Sequence, residues 1–494
     1  MVRLEGRKAA LALLSGVLTA LAMPGFGFGP LVFVALVPLF FALDGRPRFV
    51  YGILFGAAFI ALDLRWILTL CRFSLLVIPG LVLLVVYLSL FFGLFAVLLV
   101  PSRRRPGGAT FLLTAPVAFT LLEIARAQGP LGNGFSALYH ALYRIPPLIQ
   151  IAGVLGPWAI TAVIVFVNAA LYLAVRRRRA RYAMAGGAAI VVLAAAWLLP
   201  VPPTDGDPVR VAVVSSNVKQ EVKLDGRNLP SLTDRYMNLG QDALAWNPDL
   251  IVFPESILPT YILRNDEVLA RLRDLAIGGT TRVLFGTGDY RGREIQNTVA
   301  LLSKEGDLVG TYAMVRPVPF GEYVPGRRLW EAIGLGRLVN SFLPIDLTPG
   351  EAFEPLGEFG TPICFESTFP DPARRLVGKG AGLLVVVTND AWFAGSSELV
   401  AHFAAAVFRA IETRRFVVQA ANGGVSGIVD PKGRILESTT REDLVRGTVV
   451  SRSDRSLYVR LGDLPLLLLL GIGGLAFLGL RITCGRNAKR GART

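Results

Sequence analysis

The chain has 494 residues, of which 53% are hydrophobic and only 18% are charged, and its mean hydropathy is +0.53. These values exclude an ordinary soluble protein, since soluble proteins are more polar. The apolar excess lies in residues 9–200 and 463–480, whereas residues 201–462 have the composition of a globular domain. The net charge of +15 would also suit a nucleic-acid-binding protein, but the positions of the basic residues favour a membrane protein.

Eight apolar runs approach the length of about 20 residues that a helix needs to cross a bilayer. The first two are short and are separated only by a Gly/Pro-rich segment, residues 24–30, which predicts a tight helical hairpin or a partly re-entrant pair. The first run also resembles a signal peptide, because basic residues precede it and Ala20-Leu21-Ala22 resembles a cleavage site; we expect it to be retained. The predicted spans are 9–23, 29–43, 50–69, 78–100, 109–126, 148–175, 184–200 and 463–480.

Lysine and arginine predict the orientation of these spans. With the N-terminus inside, the inner segments near residues 3–8, 46–48, 103–105, 176–181 and 481–493 hold the basic clusters, as the positive-inside rule requires. The basicity is then a topology signal, and we expect no nucleic-acid partner. We predict a membrane domain of seven spans (1–200), a water-facing outer domain (201–462), and a last span with a basic cytoplasmic tail (463–494).

Strand-like and helix-like runs alternate in the outer domain. Its strands are apolar along their whole length, which is typical of sheets covered on both faces and predicts an α/β layered domain. The predicted strands are Val209–Ser215, Asp249–Phe253, Arg282–Thr287, Asn297–Ser303, Leu308–Val315, Thr361–Cys364, Gly382–Thr388, Phe416–Ala421, Gly427–Asp430 and Gly447–Ser451, and the predicted helices are Thr233–Asn247, Asp266–Ile277, Pro370–Gly378 and Glu398–Arg414.

Three polar positions follow predicted strands of the outer domain, namely Glu255, Cys364 and the pair Asn389-Asp390. Ligands of open α/β sheets bind at such carboxyl ends of strands. A carboxylate there can act as general base for a thiol, and an activated thiol is a good acyl acceptor. Cys364 is the only cysteine of residues 201–462. The residues alone leave open an inert core cysteine and a surface glutamate.

At these residues the sequence resembles the nitrilase superfamily, with its carbon-nitrogen hydrolase (CN hydrolase) domain, and more narrowly the apolipoprotein N-acyltransferases. The resemblance implies an αββα sandwich attached to a polytopic α-helical membrane domain of about eight spans. It is carried by Pro254-Glu255, Pro319-Phe320-Gly321-Glu322, Ile363-Cys364-Phe365-Glu366, Thr388-Asn389-Asp390-Ala391-Trp392-Phe393, His402 and Asn422-Gly423-Gly424-Val425-Ser426.

The resemblance implies a ping-pong acyltransferase of lipoprotein biosynthesis. Glu255 would deprotonate Cys364, which would take an acyl chain from a phospholipid as a thioester and pass it to the N-terminal amine of a diacylglyceryl-cysteine in a lipoprotein. It further implies a multi-pass protein of the bacterial inner membrane, acting as a monomer with its large domain in the periplasm and with neither metal nor organic cofactor. Glu322 and Glu366 would support the nucleophile region, and Phe365, Asn389, Trp392 and Phe393 would lie near the substrate.

One departure from the family pattern bears directly on activity. The family's third catalytic residue is a lysine five positions before the proline of the Pro-Phe-Gly-Glu signature, and that position is Met314 here. Methionine cannot donate to an oxyanion, and losing one such donor costs about 10²–10³ in rate. Either the chain is an impaired or inactive homologue or variant that binds lipid or lipoprotein, or another cation substitutes. Arg316 is the candidate, because residues i and i+2 of a strand share a face; Lys304, in a turn, is a poorer one.

Other features leave further alternatives open. Leu224 stands where the family commonly has an aromatic residue, and Phe365 where it has tyrosine, which predicts an altered substrate preference. Glu123 and Arg126, charged residues of the fifth span, are either functional or a structural pair. A membrane-tethered amidase would need one span rather than seven, and a transporter would show paired polar residues and symmetry between its halves.

Overall fold

The computed structural model describes residues 5–44, 48–99, 107–201 and 206–473. Five helices in it are long and apolar enough to cross a membrane, and they coincide with the third to seventh predicted spans. Gly29–Ala42 and Leu464–Gly473 form shorter apolar helices, so the count of eight spans stays a prediction. The basic tail and the end of the last predicted span lie outside the described residues. The five candidate spans are Arg48–Arg72, Val77–Leu98, Gly108–Arg126, Trp158–Arg177 and Ala180–Leu198.

Within the described residues, the membrane part contains eight α-helices, and 3₁₀ helices lie in several of the connections between them. The sixth predicted span, expected from residue 148, is interrupted at Gly156-Pro157, where Gly156 has φ +80° and the following proline starts a new helix. The helices are α1 (Gly6–Ala22), α2 (Val37–Ala42), α3 (Arg48–Asp63), α4 (Val77–Leu98), α5 (Gly107–Arg126), α6 (Ala152–Leu155), α7 (Trp158–Arg177) and α8 (Ala180–Ala195).

The outer domain contains two mixed β-sheets. The first has the strand order β11-β1-β2-β3-β4-β5 and the second β10-β9-β8-β7-β6. Parallel pairing joins β1-β2-β3 and β6-β7-β8, and the remaining neighbours are antiparallel. The strands are β1 (Pro208–Ser215), β2 (Leu250–Val252), β3 (Arg282–Arg291), β4 (Glu294–Leu302), β5 (Leu308–Ala313), β6 (Phe359–Gly360), β7 (Leu383–Asn389), β8 (Val417–Asn422), β9 (Ser426–Val429), β10 (Ile435–Thr439) and β11 (Asp443–Val450).

The sheets pack face to face between two layers of helices. The alternating side chains of β1 show this packing. Val211 and Val213 lie in the core shared with the second sheet, whereas Ala212 and Val214 lie in the core beneath α10 and α11. Helices α14 and α15 cover the second sheet. This αββα sandwich has the layers implied by the resemblance. The helices of the domain are α9 (Gln220–Leu224), α10 (Leu229–Leu244), α11 (Asp266–Gly279), α12 (Arg327–Ala332), α13 (Gly336–Phe342), α14 (Pro370–Gly378), α15 (Glu398–Thr413) and α16 (Leu457–Leu461).

Two predicted strands end two or more residues earlier than expected, and the Glu366 side chain contacts the backbone beyond both ends. The strand predicted to reach Val315 ends at Ala313, because the Glu366 carboxylate accepts the N–H groups of Val315 and Arg316. The prediction of a strand over Thr361–Cys364 is wrong. Strand β6 ends at Gly360, and Cys364 begins a 3₁₀ helix, Cys364–Thr368. The sequence also did not predict the exposed edge strand β10 or helices α12 and α13.

The outer domain packs tightly on the membrane part. Arg72, at the end of the third span, donates to the carbonyl oxygens of Ala391 (2.7 Å) and Trp392 (3.0 Å). On the other side of the interface, Arg414 donates to the side-chain oxygen of Gln150 at 2.8 Å. These hydrogen bonds attach residues 391–392 and Arg414 of the outer domain to the membrane part.

Close packing of α3 on α4 yields a first prediction. A Cβ at Gly52 would overlap the carbonyl oxygen of Phe92 and lie 2.8 Å from Cα of Gly93, so this backbone contact requires glycine. Gly52→Ala should therefore separate the helices and cost about 1–3 kcal/mol, measured as a lower thermal unfolding midpoint in detergent. Gly187→Ala in α8 is the matched control, because a Cβ there meets nothing within 4 Å; equal midpoints for the two variants would contradict the prediction.

Candidate active site

Cys364 occupies a strained turn whose backbone is held by hydrogen bonds from two side chains. Its φ is +47°, a left-handed conformation that is costly for a residue with a side chain and recurs at functional sites. The Cys364 carbonyl oxygen accepts from Ser367 Oγ (2.8 Å) and His402 Nε2 (3.0 Å). Hydrogen bonds from these two side chains to the main-chain carbonyl thus fix the direction in which the thiol leaves the backbone.

His402 belongs to a buried cluster with two carboxylates. Its Nδ1 lies 2.9 Å from Asp390 Oδ1 and 3.6 Å from Glu398 Oε1. Burial alone would lower the pKa of His402, but the two carboxylates raise it to about 9. At neutral pH both ring nitrogens therefore carry protons, and Nε2 donates to the backbone of Cys364. These three side chains could also offer ligand atoms to a metal ion, although their contacts are those of a charged hydrogen-bonded cluster.

Glu255 lies in the loop after β2 and is buried, with 8% of its surface exposed. Its Oε1 accepts from Asn297 Nδ2 at 2.6 Å, whereas its Oε2 has no hydrogen-bond partner among the described residues. Burial raises the pKa of Glu255 despite the opposing effects of Asn297 and Lys223. A buried carboxylate with a free oxygen is suited to accept a proton.

The Glu255 charge acts on Cys364. Burial raises the pKa of the Cys364 thiol well above its usual range, and the charges of Glu255 and Asp390 raise it further. The two predicted reactive residues therefore share one electrostatic environment. In this environment the thiol stays protonated at neutral pH until a base takes the proton.

Asn297 connects three of the predicted site residues. Besides Glu255, its Nδ2 donates to Glu322 Oε1 at 2.9 Å and lies 3.8 Å from the sulfur of Met314. Met314 is 2% exposed, so its thioether lies inside the carboxylate network. Glu322 also accepts from the Val318 N–H at 2.7 Å, and burial, followed by the Glu255 charge, raises the pKa of Glu322 to about 7.

Glu366 ties the nucleophile turn to the segment after β5. One of its oxygens accepts from the N–H groups of Val315 (2.6 Å) and Arg316 (2.9 Å), and the other from the Ile363 N–H (3.0 Å) and the Tyr312 hydroxyl (2.9 Å). Burial raises its pKa to about 7. Four donors on one carboxylate hold the turn in place relative to Met314.

Arg316 lies in a different environment from the one predicted. Because β5 ends at Ala313, Arg316 and Met314 do not share a strand face. The Arg316 guanidinium stacks 4.4 Å from the centre of the Phe369 ring, and its nearby charges are those of Asp371, Glu366 and Arg375. The geometry gives no support to Arg316 as the substitute cation.

Lys223 lies in the site although the sequence did not predict it. It belongs to the short helix α9, is 5% exposed, and donates from Nζ to the Glu255 carbonyl oxygen at 3.0 Å. Burial lowers its pKa to about 8, while the charges of Glu255 and Cys364 raise it. The available signal was its position directly before Leu224, whose departure from the family pattern predicts an altered substrate preference.

The predicted substrate-region residues lie where the two parts of the protein meet. Asn389 is hydrogen-bonded at both ends of its amide, since its Nδ2 donates to Gln220 (3.0 Å) and its Oδ1 accepts from Asn422 (2.8 Å). The aromatic residues instead contact rings of the membrane part. Ring centres are 5.2 Å apart for Trp392 and Phe73, 4.9 Å for Phe393 and Trp66, and 6.2 Å for Phe365 and Phe135.

The charged residues of the fifth span form a structural network. Glu123 accepts from Thr161 Oγ1 (2.6 Å) and the Leu138 N–H (2.9 Å), and lies 3.7 Å from Arg126. Arg126 in turn donates to the Ser136 carbonyl oxygen at 2.8 Å. These contacts hold the loop that carries Phe135, so the geometry favours the structural interpretation.

Two family models match different parts of the chain. The family model described as the apolipoprotein N-acyltransferase N-terminal domain matches residues 15–170, and that of carbon-nitrogen hydrolase matches residues 210–456. A solved amidase of the nitrilase superfamily from Nesterenkonia is 18% identical and covers 51% of this chain and 93% of its own, with a TM-score of 0.38.

Similarity to curated proteins extends over nearly the whole chain. An apolipoprotein N-acyltransferase from Geobacter metallireducens is 34% identical over 92% of this chain and 91% of its own length. One from Thermotoga maritima is 29% identical over 92% of this chain and 90% of its own. The chain therefore belongs to the apolipoprotein N-acyltransferase family, whose members are acyltransferases of the carbon-nitrogen hydrolase superfamily.

Proposed function

We propose that this protein transfers an acyl chain from a phospholipid, through a thioester on Cys364, to the N-terminal amine of a diacylglyceryl-cysteine in a lipoprotein. The observation that carries the proposal is the buried Oε2 of Glu255, which has no hydrogen-bond partner among the described residues and belongs to a carboxylate whose charge acts on Cys364. The membership of the chain in its family supplies the substrate classes. The protein acts as a monomer, and its site lies at the periplasmic face of the inner membrane.

In the first half-reaction, the Glu255 carboxylate takes the proton of the Cys364 thiol, and the thiolate attacks the ester carbonyl of the phospholipid. The tetrahedral intermediate expels the glycerol oxygen, which receives the proton back from Glu255. A lysophospholipid leaves, and the acyl chain remains on Cys364 as a thioester. The strained Cys364 backbone, held by His402, keeps the sulfur in a fixed direction for the attack.

In the second half-reaction, the amine of the lipoprotein attacks the thioester. Glu255 accepts a proton from the amine, and the Cys364 thiolate leaves and is reprotonated. Water would compete with the amine for the thioester, so the site must exclude it. The aromatic contacts of Trp392 and Phe393 with rings of the membrane part support such exclusion.

A second candidate function is that of an impaired homologue that binds lipid or lipoprotein without turnover. Met314 favours it, because an uncharged thioether lies among the carboxylates where the family has its lysine. The two candidates differ in whether the chain as it stands forms the thioester.

Acyl-adduct formation distinguishes these candidates. The purified full-length protein, incubated with phosphatidylethanolamine, should gain one acyl mass that hydroxylamine removes, because the thioester is labile to this nucleophile. Intact-mass spectrometry measures the gain. The Cys364→Ser variant is the control and should carry no hydroxylamine-labile adduct. An adduct that forms only after Met314→Lys would favour the impaired homologue, and a hydroxylamine-labile adduct on Cys364→Ser would contradict the proposed nucleophile.

The role of Glu255 can be tested through the acidity of Cys364. Removing a neighbouring negative charge stabilises the thiolate, so Glu255→Gln should lower the pKa of Cys364. The pH profile of iodoacetamide alkylation, followed by peptide mass spectrometry, should shift to lower pH while adduct formation with phospholipid falls by about 10²–10⁴-fold. Glu354→Gln, on the surface, serves as control. An unshifted profile would show that Glu255 does not act on Cys364.

A further inference from the structure

We propose that Lys223 supplies the active-site cation in this protein, replacing from helix α9 the lysine that the family carries at the position of Met314. The inference rests on the proposed thioester chemistry and names the residue that completes it. Lys223 would touch the reacting carbonyl oxygen and would thus be a catalytic residue in its own right.

The position of the Lys223 ammonium is the first argument. Its Nζ is 3.0 Å from the carbonyl oxygen of Glu255, and its charge interacts with both the Glu255 carboxylate and the Cys364 thiolate. An ammonium has three N–H donors, and the bond to the Glu255 carbonyl uses one of them. Two donors remain for a carboxylate and for an oxyanion that develops beside Cys364.

The helix that carries Lys223 is held rigidly. Gln220, on the same helix, accepts from Asn389 at 3.0 Å, and Asn389 accepts from Asn422 at 2.8 Å. The Asn422 side chain also receives the N–H of Val218 at 2.9 Å and donates to the Val218 carbonyl oxygen at 3.0 Å. Such a preorganised cation stabilises a developing charge without reorganisation during the reaction.

The alternative cations fit less well. Arg316 stacks on Phe369, and its nearby charges include neither Glu255 nor Cys364. Lys304 is 42% exposed and lies 4.0 Å from Asp249. Lys223 is thus the candidate lysine that is both buried and coupled to the two reactive residues.

The proposed role follows the course of charge in the reaction. When the Cys364 thiolate adds to the ester carbonyl, the negative charge moves onto the carbonyl oxygen, and an N–H of Lys223 donates to it. When the intermediate collapses, the charge moves to the departing glycerol oxygen, which takes its proton from Glu255. Lys223 keeps its proton throughout. Burial lowers the pKa of Lys223 to about 8, so the ammonium still predominates at neutral pH.

The test compares the wild-type protein with four variants: Lys223→Met, Lys219→Met, Met314→Lys and the double variant Lys223→Met/Met314→Lys. Lys219 is the matched control, since it lies four residues earlier and is exposed. With phosphatidylethanolamine as acyl donor, Lys223→Met should slow adduct formation about 10²–10³-fold, and Lys219→Met should stay within about twofold of wild type. The double variant should recover most of the lost rate, because the lysine at position 314 again places a positive charge in the site.

A second measurement separates this role from a structural one. Losing a nearby positive charge destabilises the thiolate, so the pH profile of Cys364 alkylation should shift to higher pH in Lys223→Met. It should shift back in the double variant. A folding defect in Lys223→Met would not be repaired by adding a lysine at residue 314.

The outcomes are distinct. If Lys223→Met formed the adduct at the wild-type rate and its alkylation profile were unshifted, the inference would be overturned and the proposed function would stand. The inference would also fail if adduct formed only in proteins with Met314→Lys, because Lys223 would then be insufficient. If no variant, including Met314→Lys, formed an adduct, the proposed function itself would fail, while the alkylation profiles would still report whether Lys223 acts on Cys364.

Discussion

The burial of several carboxylates beside one thiol is the constraint on which the rest of the site depends. Each buried ion costs several kcal/mol unless hydrogen bonds or opposite charges offset the loss of water. Asn297 donates hydrogen bonds to Glu255 and Glu322, and Glu366 accepts hydrogen bonds from four donors. Burial raises the pKa of the Cys364 thiol, and the remaining negative charge raises this pKa further. A cation is therefore needed both to keep the base ionised and to let the thiolate form.

The same constraint explains why the outer domain packs so closely on the membrane part. Charges in a site screened from water interact strongly, and a thioester survives only where water is scarce. Arg72 fixes the 391–392 backbone to the third span, and the rings of Trp392 and Phe393 contact aromatic residues of the membrane part. The position of the nucleophile thus depends on contacts from both parts of the chain.

The sequence predicted the elements that have a strong periodic pattern and missed those set by tertiary contacts. Strands β1, β2 and β7 are apolar on both faces, and their existence followed from composition. The geometry at Cys364 did not, because its turn is fixed by Glu366 and by His402, 38 positions further along. Lys223 was missed for a similar reason. The sequence predicts that a lysine on a short polar helix is exposed, but hydrogen bonds of Asn389 and Asn422 hold this helix against the site, and Lys223 is buried.

Exchanging a catalytic lysine between two walls of one site is physically plausible because an ammonium acts as a compact charge on a flexible stem. Its effect depends on where the nitrogen lies and little on the strand or helix from which the stem begins. Met314 is close to lysine in length and fills the vacated space without adding a buried polar group. The methionine then maintains the packing around Asn297, and the Coulomb field that the carboxylates require comes from the Lys223 side. A departure from a family motif is best judged by the total charge in the site, since the cation can come from a segment outside the motif.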